Sequence, residues 1–307
     1  MGTMKEPKFN PSALLKAEAK KFATLDKPPA LKVVPKREPV RAVKRGAPTP
    51  QSSLADVVVE MNFSRLKSWS LSAYKDYKKC PRALALKRIA KIKEPDSPAM
   101  ARGTFAHSVC EKFVKKEISW ETAVAEAKKA GDKTLYGKKA NPIDLEPLKE
   151  YLHAAQKKQV VVEGDWAFVE NWDDGDWFKN AWLRMKLDVG LRVKAGVYEV
   201  TDWKTGRIYD DHKEEEDLYV LAMFLKFPDA REVRAVFGYL DQGKLETSGR
   251  VYRREEMGVL ADRWEKKVKP MMSDTTFPCK PNPFCQWCFF RAANAANLPG
   301  GKKLCRF

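Results

Sequence analysis

Asp188, Asp202 and Lys204 stand where they could form a hydrolytic site. Asp202 and Lys204 close a run from Val197 that is mostly apolar and β-branched or aromatic, which predicts a buried strand. Side chains two apart in a strand point the same way, so these two share a face while Trp203 points to the other. A buried strand that ends in two charges calls for a chemical reason. A carboxylate that binds a hard cation, a lysine that touches the same water and a second carboxylate from a neighbouring strand would together make a hydrolytic metal site. On the bland alternative, Thr205 and Gly206 merely finish the strand, and Asp202 and Lys204 form a surface ion pair worth little.

His107 and the cysteines are the other groups with chemistry in them. His107 lies in a stretch, 103–116, where Phe105, Val109, Phe113 and Val114 mark an apolar helix side and Glu111 falls one turn on. Taken alone, a histidine there reads as a packed, hydrogen-bonded one. The six cysteines are 80, 110, 279, 285, 288 and 305. The two-residue spacing of Cys285 and Cys288 lets both thiolates face one metal or cluster. Inside a cell such residues serve as ligands or buried thiols more often than as disulfides.

These groups need elements to hold them. Residues 165–171, 182–193 and 197–204 read as a β-meander, with an acidic turn around 173–176. Helices are expected at 103–116, after Ser119, and at 147–159. Further on, a helix at 214–227 carries Tyr219, a hairpin pairs 231–240 with 244–253, and a last helix covers 254–271. Trp166, Trp172, Trp177 and Trp182 could stack on bases, although aromatics at strand positions more often pack a core. The folded domain is expected to begin near residue 61, because Trp69 to Tyr74 bring the first aromatic and helix-cap texture. Pro81 then breaks the helical pattern beside Cys80.

With 307 residues the chain can build one large or two small domains, and 58 Lys and Arg against 41 Asp and Glu leave a net charge of +17. That excess suits a polyanionic partner, nucleic acid before membrane. Residues 1–50 hold 12 Lys and Arg against 4 Asp and Glu, so +8 of the total lies there. Rich in Pro, Lys and Ala and poor in aromatics, residues 1–60 read as a disordered basic tail, either a nucleic-acid arm or a solvated linker. There is no apolar run long enough for a membrane span and no secretory signal, so an intracellular, cytoplasmic protein is expected.

Taken in order, Cys80-Pro81-Arg82, then Arg102, Gly103, Thr104 and His107, then Asp188, then Asp202-Trp203-Lys204-Thr205-Gly206, then Tyr219 and the late cysteines resemble a known family. The pattern resembles the RecB-like branch of the PD-(D/E)XK nuclease superfamily, which includes Cas-type and AddB-type nucleases that carry an iron-sulfur cluster. It spans residues 65–291, and its force lies in order and spacing rather than in a single motif. The resemblance implies an α/β, restriction-endonuclease-like core, with a central mixed β-sheet flanked by helices. It implies that His107, Asp188 and Asp202 hold Mg or Mn, and that Lys204 orients or helps deprotonate the attacking water. It implies a 4Fe-4S cluster on Cys80, Cys279, Cys285 and Cys288, with zinc as the alternative.

Two departures stand out. The family often has Gln four residues before the helix tyrosine, where this chain has Glu215. Six residues after Cys288, where the family has its last cysteine, stands Asn294, so Cys279, or with less support Cys305, takes that place. The function implied is a metal-dependent DNA exonuclease on single strands or duplex ends, in recombination, repair or phage DNA processing, with a helicase or recombination protein as possible partner. The rival is a non-catalytic nucleic-acid-binding or partner-recruiting module on the same fold.

Overall fold

The computed structural model describes residues 61–132, 134–135, 138–208, 213–298 and 304–305. The basic tail read at residues 1–60 lies outside them. In chain order the elements are α1 (Leu71–Lys79), α2 (Pro81–Arg88), α3 (Pro98–Val114), α4 (Trp120–Lys128), the short hairpin β1 (Thr134–Leu135) and β2 (Lys138–Lys139), and α5 (Lys149–Lys158). There follow β3 (Gln159–Phe168), β4 (Leu183–Lys194), β5 (Val197–Lys204), α6 (Lys213–Lys226), β6 (Glu232–Tyr239), β7 (Lys244–Glu246), β8 (Tyr252–Arg253) and α7 (Met257–Ser273).

The main sheet has six strands in the order β3-β4-β5-β6-β7, with β8 also paired to β6. β3, β4 and β5 form the expected antiparallel meander, but β5 and β6 run parallel. A parallel pair needs a crossover, and α6 supplies it. The result is a mixed sheet flanked by helices, a restriction-endonuclease-like core. On one face Tyr198 and Val200 of β5 meet the apolar sides of α1, α2, α6 and α7. On the other, Trp203 meets α3, α4 and α5 through Val109, Phe113, Ala123 and Leu152.

Several boundaries differ from those read in the sequence. β3 starts at Gln159 rather than 165, because the β-branched run Val160-Val161-Val162 takes over where α5 ends. Helix α3 starts five residues before Gly103, where Ser97 Oγ accepts the Met100 N–H at 3.2 Å and Pro98 fills the first helical position. The partner expected at 244–253 is two short strands, interrupted around Gly249 at φ +75°. Before α7, residues Arg254–Glu256 form a 3-10 turn, and Pro270 lies inside its last turn. Trp172 and Trp182 pack edge to face at 5.2 Å and are core, not base platforms.

The register of β5 on β6 sets Trp203 opposite Gly238. A Cβ on Gly238 would run into the Trp203 ring, and a buried indole in a packed core cannot give way cheaply. Gly238→Ala is therefore expected to lose about 1–3 kcal/mol of stability, read as a lower urea midpoint with unchanged slope. An unchanged midpoint would show that Trp203 does not hold this position.

Candidate active site

The β4–β5 ladder ends at the pair Val189–Thr201. The next positions along the two strands are Asp188 and Asp202, which are not paired to each other. Asp188 instead turns its carboxylate onto the backbone, and Oδ2 accepts the Trp203 N–H at 2.6 Å. That bond satisfies an amide that would otherwise lose its ladder partner at the strand end.

The side-chain alternation also resets here. Leu183, Met185 and Leu187 face the core with α6 and α7, whereas Val189 and Leu191 face the core with α3 and α5. Opposite Asp188 on β3, Glu163 sits at φ +52°, a left-handed conformation rare for a residue with a Cβ. The strand pair is thus kinked at Glu163 and Asp188, which aims both acids at one region.

Four of the expected residues come together around this point. His107 Nδ1 lies 3.4 Å from Asp188 Oδ2. Burial lowers the tendency of His107 to take a proton, but Asp188 outweighs it and the imidazole pKa is raised. Lys204 Nζ is 2.5 Å from Asp202 Oδ2 and 3.0 Å from Glu215 Oε2. Burial disfavours the Lys204 charge, yet the two carboxylates overcome it, raising its pKa so that it is an ammonium. Asp202 is buried, and burial raises its pKa to about 6 in spite of Lys204. Its Oδ2 has the ion-pair neighbour but no donor in hydrogen-bond geometry.

Glu215 and Tyr219, one turn apart on α6, complete the arrangement. The Tyr219 hydroxyl is 2.9 Å from Asp202 Oδ1 and 3.1 Å from Glu215 Oε2. It has one proton to donate, so it ties the two acids together as a shared donor. Burial alone would raise the Glu215 pKa, but Lys204 and Lys75 hold it low. The acid at the position where glutamine is usual is therefore an integral, ionised part of the cluster.

Sequence reasoning missed three contributors. Lys75 of α1 pairs with Glu215. Burial first, then Asp188 and Glu111, raise the pKa of Glu163, which places that acid beside the others. Arg102, buried, binds both carboxylate oxygens of Asp241, and Asp241 Oδ2 accepts the Gly206 N–H at 2.5 Å. This ties the turn after Lys204 to α3, which Gly103 lets come close to Thr205. The missed residues are thus Lys75, Glu163 and Asp241, whereas Arg102 and Gly103 carried a sequence signal as part of the motif around His107.

The donor set suits a hard divalent cation: carboxylate oxygens on Asp188 and Asp202, with Asp202 Oδ2 buried and held by the Lys204 ion pair, and an imidazole beside them. Asp188, Asp202, Glu215 and Glu163 also outnumber Lys75 and Lys204, leaving room for positive charge. Among the described residues, however, no three His, Cys, Asp or Glu converge into a ready coordination sphere.

The same holds at the cysteines. Cys279 Sγ and Cys305 Sγ are in contact at 3.8 Å, so the less favoured Cys305 is the direct neighbour of Cys279. Burial pushes the Cys279 thiol up to about 11, with Cys305 and Cys80 adding to it. Burial likewise raises Cys288, with Cys305, Cys80 and Cys285 contributing. Cys110 lies apart, buried against α4 and α5.

Two carboxylates and a lysine thus stand where β4 and β5 part, groups of the kind that metal-assisted hydrolysis uses. The family model of the PD-(D/E)XK nuclease superfamily matches residues 68–293, and the chain belongs to that superfamily. Members typically use divalent metals such as Mg or Mn, and the family implies a DNA substrate. Among solved structures, similarity is found to a candidate exonuclease from Eubacterium rectale, with 13% identity, 72% of this chain and 87% of that chain covered, and a TM-score of 0.40. The protein SSO0001 is also similar, with 13% identity, 74% and 85% covered, and a TM-score of 0.31. Likeness at these scores carries no functional argument. No curated protein matches the chain. Among the described residues no helix is long and apolar enough to cross a membrane.

The raised Asp202 pKa has a consequence for stability. The folded state binds this proton more tightly than the unfolded chain, so the contribution of Asp202 is fully present below the unfolded value near 3.8 and is lost as pH rises through about 6. Asp202→Asn has no charge to desolvate. In chelator, its melting temperature is expected to gain several degrees on wild type between about pH 5 and about pH 8. A difference independent of pH would show that the acid is not desolvated.

Proposed function

We propose that this chain is a metal-dependent deoxyribonuclease of the RecB-like branch, acting as an exonuclease on single strands or duplex ends in recombination, repair or phage DNA processing. The observation that carries the reading is the meeting of Asp188 and Asp202 at the end of the β4–β5 ladder, with Lys204 between Asp202 and Glu215. Asp188, Asp202 and His107 would hold Mg or Mn. The bound ion supplies Lewis acidity and a more acidic water.

The chain's own residues do the rest. Lys204, an ammonium between two acids, orients the attacking water and offsets charge on the phosphate rather than accepting a proton. Tyr219 and Glu215 hold Asp202 and Lys204 in place, and Arg102 with Asp241 fixes the turn behind them. An imidazole donor tilts the choice toward manganese. A second reading, a non-catalytic DNA-binding module, draws on the absence of a ready coordination sphere among the described residues.

Asp202→Ala and Lys204→Ala are each expected to lower manganese-dependent cleavage of labelled DNA by about a hundredfold or more while leaving DNA affinity nearly unchanged. Cleavage at the wild-type rate by either variant would misplace the site. A wild-type chain that binds DNA but never cuts it would favour the binding module. We assign residues 1–60 as a basic arm, distinct from the nuclease domain at 61–307. Its deletion is expected to weaken binding and flatten its salt dependence while metal-dependent cleavage remains.

The cysteines we assign to an iron-sulfur cluster ahead of zinc, with Cys80, Cys285, Cys288 and Cys279 as ligands and Cys305 as the alternative to Cys279. Such a site would staple α1 to the end of the domain. Anaerobically purified protein is expected to be brown and to contain iron. Colourless protein with zinc would assign zinc, and fully stable protein with neither metal would remove the staple.

A further inference from the structure

Among the described residues most aromatic side chains are buried; Phe178, Phe284 and Trp287 are exposed, and the last two lie side by side. They are 56% and 71% exposed and lie in the 3-10 turn Pro283–Trp287. Side chains three apart in a 3-10 helix eclipse one another, so the two rings emerge on one face, with centroids 6.3 Å apart. Exposing two large rings side by side costs solvation, and such patches mark binding surfaces.

The surroundings identify the ligand. Lys79 Nζ stands 5.1 Å over the Phe284 ring. Lys280 donates to the Lys78 carbonyl at 3.0 Å, and Asn282 Nδ2 donates to the Lys79 carbonyl at 3.0 Å. Lys79 therefore stands beside the Phe284 ring, and the segment that carries the two rings is fastened to the last turn of α1. The same helix sends Lys75 to Glu215 in the active site and Lys78 to Glu214. Lys75 and Lys79 are about 6 Å apart along the helix axis. Helix α1 thus connects the carboxylate cluster, where Lys75 pairs with Glu215, to the exposed rings, where Lys79 lies over Phe284.

Aromatic rings beside lysines bind single strands through base stacking and phosphate contacts, without reading sequence. We propose that Phe284 and Trp287 form a stacking platform for the unpaired bases of a nucleic-acid strand, delivered along α1 to the Asp188–Asp202 site. The proposal rests on the nuclease reading for its direction but not for its binding. A duplex hides the faces of its bases, so the platform takes single strands or frayed ends.

The test uses the full chain and a fluorescent thymidylate dodecamer in chelator, with affinity read by anisotropy. Trp287→Leu is expected to weaken binding about tenfold, and Trp287→Phe to retain most of it, because stacking needs a ring and not merely apolar bulk. Lys79→Gln is expected to reduce the salt slope by about one ion. Hydrolysis of bis-p-nitrophenyl phosphate in manganese, which needs no platform, is expected to be the same in all variants. Affinity unchanged in Trp287→Leu would overturn the platform and leave the rings as a protein-docking patch. Equal loss in the Phe and Leu variants would overturn stacking as well. A wild-type chain that hydrolyses neither DNA nor the small ester, yet loses affinity in Trp287→Leu, would keep the platform and remove the hydrolase.

Discussion

The active region depends on where one β-ladder stops. β4 and β5 pair as far as Val189 and Thr201 and then part, so Asp188 and Asp202 are the first residues of these two strands not paired to each other, although β5 stays paired to β6 through Lys204. Strand ends leave backbone groups wanting partners, and the Asp188 carboxylate answers one of them through the Trp203 N–H. Its position is thus locked by the neighbouring strand's backbone instead of by its own rotamer preference. With Glu163 kinked on the other side of β4, three acids are brought near one another.

Such crowding is electrostatically expensive, and the surrounding elements carry the compensation. Lys204 and Lys75 flank Glu215, and Tyr219 bridges Glu215 to Asp202. Burial still leaves Asp202 with a pKa of about 6, so the balance is incomplete. A site held short of neutrality suits a cation, because added positive charge relieves the repulsion that folding has stored there. On the opposite face Trp203 packs against Gly238 and Tyr151, which anchors β5 from behind.

Helix α1 links distant parts of the chain. Through Lys75 it reaches the acids, and through Cys80 at its end and the carbonyls of Lys78 and Lys79 it receives the segment that carries Cys279 and Cys285. The Arg82 N–H adds a bond to the Pro278 carbonyl at 3.3 Å. The beginning and end of the domain are therefore joined beside the site, and any metal on the cysteines would stiffen the same joint.

How much of this was legible in the sequence depends on the range of the interaction. The apolar, β-branched and aromatic run at 197–204 identified a buried strand, and the order of His107, Asp188, Asp202 and Lys204 pointed to a nuclease core, because composition and side-chain direction in a strand are local properties. The apolar period around His107 likewise revealed its helix. Lys75, Glu163 and Asp241 gave no signal, since nothing in their own neighbours says which strand or helix they will face. The reversal of alternation at Asp188 was also hidden, because it arises from a kink shared with β3. Spacing alone did not show that Cys305 touches Cys279, because that contact depends on how residues 304–305 pack near Arg82 of α2. Local pattern determined the elements and the reactive residue types; the end of a ladder, decided only by the sheet as a whole, brought those residues together.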